Sequence, residues 1–140
     1  MFLTVLALSA ALFQDATVDS DPVVEAVYAT DSESLTGYMA QSCRIQQAAN
    51  QGGTSVEYTE FCGCLAGEIR DGTGDELFRA MALGSQGALQ DEALIDDWDA
   101  AREESEAIFA TLEPEEQLSA GTVIQSGLLT CLPLMPAHVE

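Results

Sequence analysis

Thr54-Ser55-Val56-Glu57-Tyr58-Thr59-Glu60-Phe61-Cys62-Gly63-Cys64-Leu65-Ala66-Gly67-Glu68-Ile69 carries most of the architectural information in this chain. Thr54 and Glu57 have the spacing of a capping box, in which the two residues satisfy each other's free amide groups at a helix start. Tyr58, Phe61, Cys62, Leu65 and Ile69 then recur at three- and four-residue intervals, the stripe of a half-buried helix. On such a helix Cys62 and Cys64 point about 200° apart, so they are poorly placed to bond to each other. They are well placed to grip two different neighbours, and the chain offers two further cysteines, Cys43 and Cys131. Sequence alone leaves the connectivity open. Cys62 shares the apolar stripe, and a helical hairpin favours Cys43–Cys62, which leaves Cys64–Cys131. On the chain-entropy account the two loops contribute about 3 and about 4 kcal/mol.

Outward from this helix the chain alternates helical patterns with glycine-rich breaks. Leu35, Tyr38, Met39, Cys43 and residues 46–49 predict a first helix ending at Asn50-Gln51-Gly52-Gly53. Thr73 with Glu76 predicts the cap of a short third helix carrying Leu77, Phe78, Met81 and Ala82 and stopping near Gly84. A fourth is expected over residues 91–112, with Leu94, Trp98, Ala101, Ile108 and Leu112 on one side. Pro114 suits a first helical turn, and Glu115 and Glu116 suit the positive end of a fifth helix. Leu118, Ile124, Leu128 and Cys131 form its apolar side, and Pro133 and Pro136 end it. Strand signals are nearly absent, and no internal repeat is evident. The expected fold is all-α: a small bundle of four to five helices stapled by two disulfides.

Residues 1–13, MFLTVLALSAALF, are apolar and too short to span a bilayer, which needs about 20 such residues. They match the hydrophobic region of an export signal, with Ser9-Ala10-Ala11 as the cleavage site and Gln14-Asp15-Ala16 as a poorer one. Only the α-amino group supplies positive charge ahead of this run. The expected organisation is a signal peptide at 1–11, a flexible acidic arm at 12–33, a stapled helical domain at 34–132 and a tail at 133–140. It implies a periplasmic or secreted protein that does not span a membrane in its mature form.

Four basic against 24 acidic residues give a formal charge of −20, and no lysine is present. Phosphate backbones and anionic lipid repel such a chain, which argues against nucleic-acid and membrane-surface roles. A cationic protein partner, steered in by charge, is the functional reading; solubility in a salty medium is the plainer one. The acidic residues concentrate at Asp91, Glu92, Asp96, Asp97, Asp99, Glu103, Glu104 and Glu106. Of these, Asp96, Asp97, Asp99, Glu103 and Glu104 are the candidate partner-binding face, set against a simple solvated surface.

Other chemistry finds little support. Thiol–disulfide exchange through Cys62-Gly63-Cys64 is the alternative function, but it needs a low-pKa thiolate. No Lys or His lies near, and Glu60 and Glu68 oppose it. Zinc ligation is disfavoured because a CxC pair on a helix splays its ligands. Covalent haem attachment lacks its C-x-x-C-H motif. Asp71-Gly72-Thr73-Gly74-Asp75 resembles the opening of an EF-hand calcium loop over twelve residues, departing at Glu76 and at Ala82. Thr73 as a helix cap accounts for the same residues. Trp98 reads as a core residue, and His138, the lone histidine, as a tail residue. With no phosphate loop and no nucleophile beside a base, the chain reads as non-enzymatic, without metal or cofactor.

Overall fold

The computed structural model describes residues 28–138, and among them the chain is all helical, with no strand. The expected signal segment and most of the expected arm lie outside the described residues. Five helices follow in order: α1 Ser32–Gln51, α2 Thr59–Gly72, α3 Asp75–Leu89, α4 Trp98–Thr111 and α5 Pro114–Cys131.

Local chemistry sets most of the helix ends. Asp31 caps α1, accepting from the Ser34 amide at 2.9 Å and the Ser34 hydroxyl at 2.7 Å. At the other end Gly52 takes φ +83° and donates its amide to the Ala48 carbonyl at 3.0 Å, and Gly53 follows at φ +81°. The expected break at Asn50-Gln51-Gly52-Gly53 is therefore where the helix ends. The Thr54–Glu57 box forms, with the Thr54 amide donating to the Glu57 carboxylate at 2.6 Å, and it opens a 3-10 turn, Ser55–Tyr58, that feeds α2.

Three boundaries differ from those read in the sequence. Thr73 does not cap α3: its hydroxyl donates back to the Ile69 carbonyl at 2.7 Å, closing α2, and Gly74 takes the N-cap position. α3 does not stop at Gly84 but runs through Gly84 and Gly87 to Leu89. These glycines mark a close helix crossing, since a Cβ at Gly84 would stand 2.8 Å from Ser105 Oγ, and one at Gly87 2.6 Å from Arg102 Cβ. The fourth helix begins at Trp98, not at residue 91. Gln90 turns the chain with φ +53°, and the Leu94 and Ile95 amides donate to Gln86 Oε1 rather than up a helical ladder. Asp97 then caps α4 by accepting from the Ala100 amide at 3.0 Å.

The buried stripe of α2 is the predicted one, with Tyr58, Phe61, Cys62, Leu65 and Ile69 all removed from solvent. Leu35 from α1, Phe78, Ala82 and Leu83 from α3, Ile95, Ala101 and Cys131 complete the core around it. The helices form an array in which α4 lies on α3, α3 on α1, α1 on α2 and α2 on α5. Thus α4 and α5 stand at its two ends. Three leucines expected in the core are not buried. Leu94 is exposed while its neighbour Ile95 is buried, and Leu118 and Leu128 of α5 face solvent while Gly127 and Cys131 face the core. The helical domain also reaches beyond the bounds 34–132. Tyr28 hydroxyl donates to the Glu104 carboxylate and Tyr38 hydroxyl to the Ala29 carbonyl, so residues 28–33 join it and not the arm.

Candidate functional site

Both disulfides are closed, Cys43–Cys62 with Cα atoms 5.6 Å apart and Cys64–Cys131 with 5.8 Å. These are the two pairs that the opposed directions of Cys62 and Cys64 favour. No free cysteine remains. Cys62 and Cys131 are wholly buried. The bridge that exchange chemistry through Cys62-Gly63-Cys64 would use is therefore not formed, and one of its sulfurs has no access to a partner thiol.

The candidate acidic face divides into residues with different duties. Glu104 pairs with Arg79 and accepts from the Tyr28 hydroxyl. Burial and then the hydrogen bond to Glu104 raise the Tyr28 phenol well above its ordinary pKa, so it stays a neutral donor. Asp97 is occupied as the cap of α4, and Asp99 pairs with Arg102 one turn along. Asp96 and Glu103 are exposed and have no cationic partner among the described residues, as do Asp91 and Glu92 on the preceding turn. The structure thus separates the five proposed residues. Glu104 ties α4 to Arg79 of α3 and to Tyr28, Asp97 caps α4 and Asp99 pairs within α4, whereas Asp96 and Glu103 make no such contact. Because the first helical turns of the predicted α4 are instead an irregular loop, Asp96 and Asp97 do not share a helix face with Glu103.

Arginine use sharpens the charge imbalance. Arg70 pairs with Asp71 at 3.1 Å, Arg79 with Glu104 and Arg102 with Asp99, which engages three of the four basic residues of the chain. Exposed carboxylates therefore outnumber the cations left to neutralise them.

The Asp71–Asp75 turn is a helix-to-helix joint: Asp71 sits in the last turn of α2 against Arg70, and Asp75 opens α3. Among the described residues no three His, Cys, Asp or Glu side chains converge as a metal site would need. Trp98 is half-buried at the start of α4, with the Arg102 guanidinium 5.9 Å from its ring centre.

Two polar positions escaped the sequence reading. Gln86 is wholly buried. Its amide nitrogen donates to the Tyr38 carbonyl at 3.0 Å and Gln41 Oε1 at 2.8 Å, while its oxygen receives the Leu94 amide at 2.6 Å. No local pattern marks it, since its partners lie on α1 and in the following loop. His138 folds back to the start of α2, its Nε2 3.3 Å from the Tyr58 hydroxyl and its ring edge-on to that of Tyr58. It is not a free tail residue. A tight approach at Gly53, where a Cβ would stand 2.9 Å from His138 Nε2, makes room for it.

No known protein family, curated protein or solved structure matched the chain when compared with it.

Proposed function

We propose that this chain is an exported, disulfide-stapled helical domain that works by binding a cationic protein, without catalysis of its own. The observation that carries this reading is the pairing pattern of its arginines. Ion pairs within the chain engage three of its four cations, and many carboxylates are left facing solvent at a formal charge of −20. A surface of one sign draws an oppositely charged partner by long-range steering and rejects anionic ones. Two disulfides fit an oxidising compartment, where such bridges persist.

The contact surface is placed on the loop before α4 and its outward side: Asp91, Glu92, Asp96 and Glu103. These carboxylates are exposed and take no part in caps or ion pairs. Changing Glu92 and Glu103 to Gln and Asp96 to Asn removes three charges while sparing the Asp97 cap and the Arg79–Glu104 pair. Proteins captured from an exported fraction at low salt should associate more slowly with this variant and show a weaker dependence on ionic strength. Unchanged rates and an unchanged salt response would reduce the acidic surface to solubilisation and sink the proposal.

A further inference from the structure

We infer that the outer face of α5 is a pairing surface by which two copies of this chain associate, antiparallel, about a two-fold axis at Gln125. α5 stands at the end of the helix array and rests on α2 through Val123, Gly127 and Cys131, with Val123 so close to Gly72 that a Cβ there would stand 2.7 Å from Val123 Cγ1. At 100° per residue the opposite face carries Leu118, Thr122, Gln125, Leu129 and Leu132. The leucines among them are largely open to solvent: Leu118 is 77%, Leu129 71% and Leu132 57% exposed.

Charge is absent from this face, whereas another carboxylate-free stretch of the described chain, residues 34–56, carries Arg44. The carboxylates at the start of α5 are confined to Glu113, Glu115 and Glu116, and no charged residue occurs from Gln117 to Ala137. A cationic partner finds no carboxylate here, and an anionic membrane is repelled by the chain as a whole. A second copy meets little repulsion at this uncharged strip.

The pattern of sizes along the strip is self-complementary, as a two-fold contact requires. With the helices antiparallel and Gln125 opposite its own copy, Leu118 meets Leu132 and Gly121 meets Leu129. Gly121 has open space around its Cβ position, with no atom within 4 Å, so nothing among the described residues calls for a glycine there. In the pair it becomes the recess that takes the leucine of the other copy. Gln125, which could satisfy its amide with its own copy, is the polar residue at the axis. The contact uses one helix of about 27 Å from each copy, at the small end of specific interfaces, below about 1,200 Å² in total. Pairing is therefore reversible and depends on concentration.

Sedimentation of the oxidised chain across a concentration series tests this. The expected result is a mass rising from one chain towards two, more readily at high salt because screening relieves repulsion between the two acidic bodies. Replacing Leu118 and Leu129 together with Asp should hold the protein at one chain throughout. Leu94→Asp, at a leucine 59% exposed in the loop before α4, should leave pairing intact. A Gln125→Cys variant should cross-link to its own copy on oxidation. A single-chain mass at about 1 mM protein and high salt, where even millimolar affinity would register, overturns the inference. So does pairing that survives the double Asp substitution, and a dimer that fails to cross-link through Gln125→Cys refutes the antiparallel register.

Discussion

Gln86 uses all four of its hydrogen-bonding positions in a place water does not reach. Gln86→Met keeps the volume and takes the acceptor from the half-buried Leu94 amide and the buried Ile95 amide. The expected loss is about 2 to 4 kcal/mol, read as a lower midpoint in chemical denaturation. Gly63 presents the opposite case. It lies mid-helix between the two bridged cysteines, with open space where a Cβ would go and no positive φ. Gly63→Ala should leave both disulfides in place and raise stability by up to about 1 kcal/mol. A marked loss of stability in that variant would contradict the helical placement of Cys62 and Cys64.

Between elements, the crossings rely on small residues. Gly87→Ala would put a Cβ 3.1 Å from the Arg102 backbone, which cannot yield as a side-chain tip can. A cost of about 1 to 3 kcal/mol is expected, with α3 and α4 splaying, whereas Gly37→Ala on the open side of α1 should be neutral or mildly stabilising. α5 is the helix most dependent on its covalent tether, since among its residues only Gly127 and Cys131 are fully buried. Replacing Cys64 and Cys131 together with Ser should therefore strip α5 of protection against amide hydrogen exchange while α1 to α3 keep theirs. What could be read in the sequence follows the same division. The α2 stripe and the cysteine partners were legible because both follow from helical periodicity at neighbouring residues. The length of α3 was not. A glycine reads as a break when its neighbourhood is unknown, and Gly84 and Gly87 answer to Ser105 and Arg102 on another helix. Nor was the late start of α4, because apolar spacing continues through Leu94 while the amides that would extend the helix are taken by Gln86. The division of labour among the acidic residues was not legible either, as caps and ion pairs claim carboxylates only once the helix ends are fixed.

Across the whole molecule, charge and pH oppose each other. The Ser34 hydrogen bonds hold the Asp31 carboxyl below its usual pKa, and the Thr54 amide does the same for Glu57. Groups lowered in the folded state contribute stability above their unfolded values, near pH 4, and that contribution disappears as the pH falls through the folded ones. Acid should thus fray the starts of α1 and of the turn before α2, seen as faster exchange of the Ser34 and Thr54 amides below about pH 4. Salt acts in the other direction. At a formal charge of −20 the folded chain repels itself, so the thermal midpoint at neutral pH should rise with ionic strength until screening is complete.

The opposed bridges on α2 also define how the molecule would carry a mechanical load. Tension applied at residues 28 and 138 passes along the chain to Cys43, crosses to Cys62, runs through Gly63 to Cys64, crosses again to Cys131 and leaves by the last turn. The segments 44–61 and 65–130 lie off that line, inside two covalent rings joined only through Gly63. Stretching the oxidised protein would draw out little more than the two ends, and α3 and α4 would bear no direct tension at all. Only reduction would add their length to the extension, and a single cut within either ring would leave the protein in one piece.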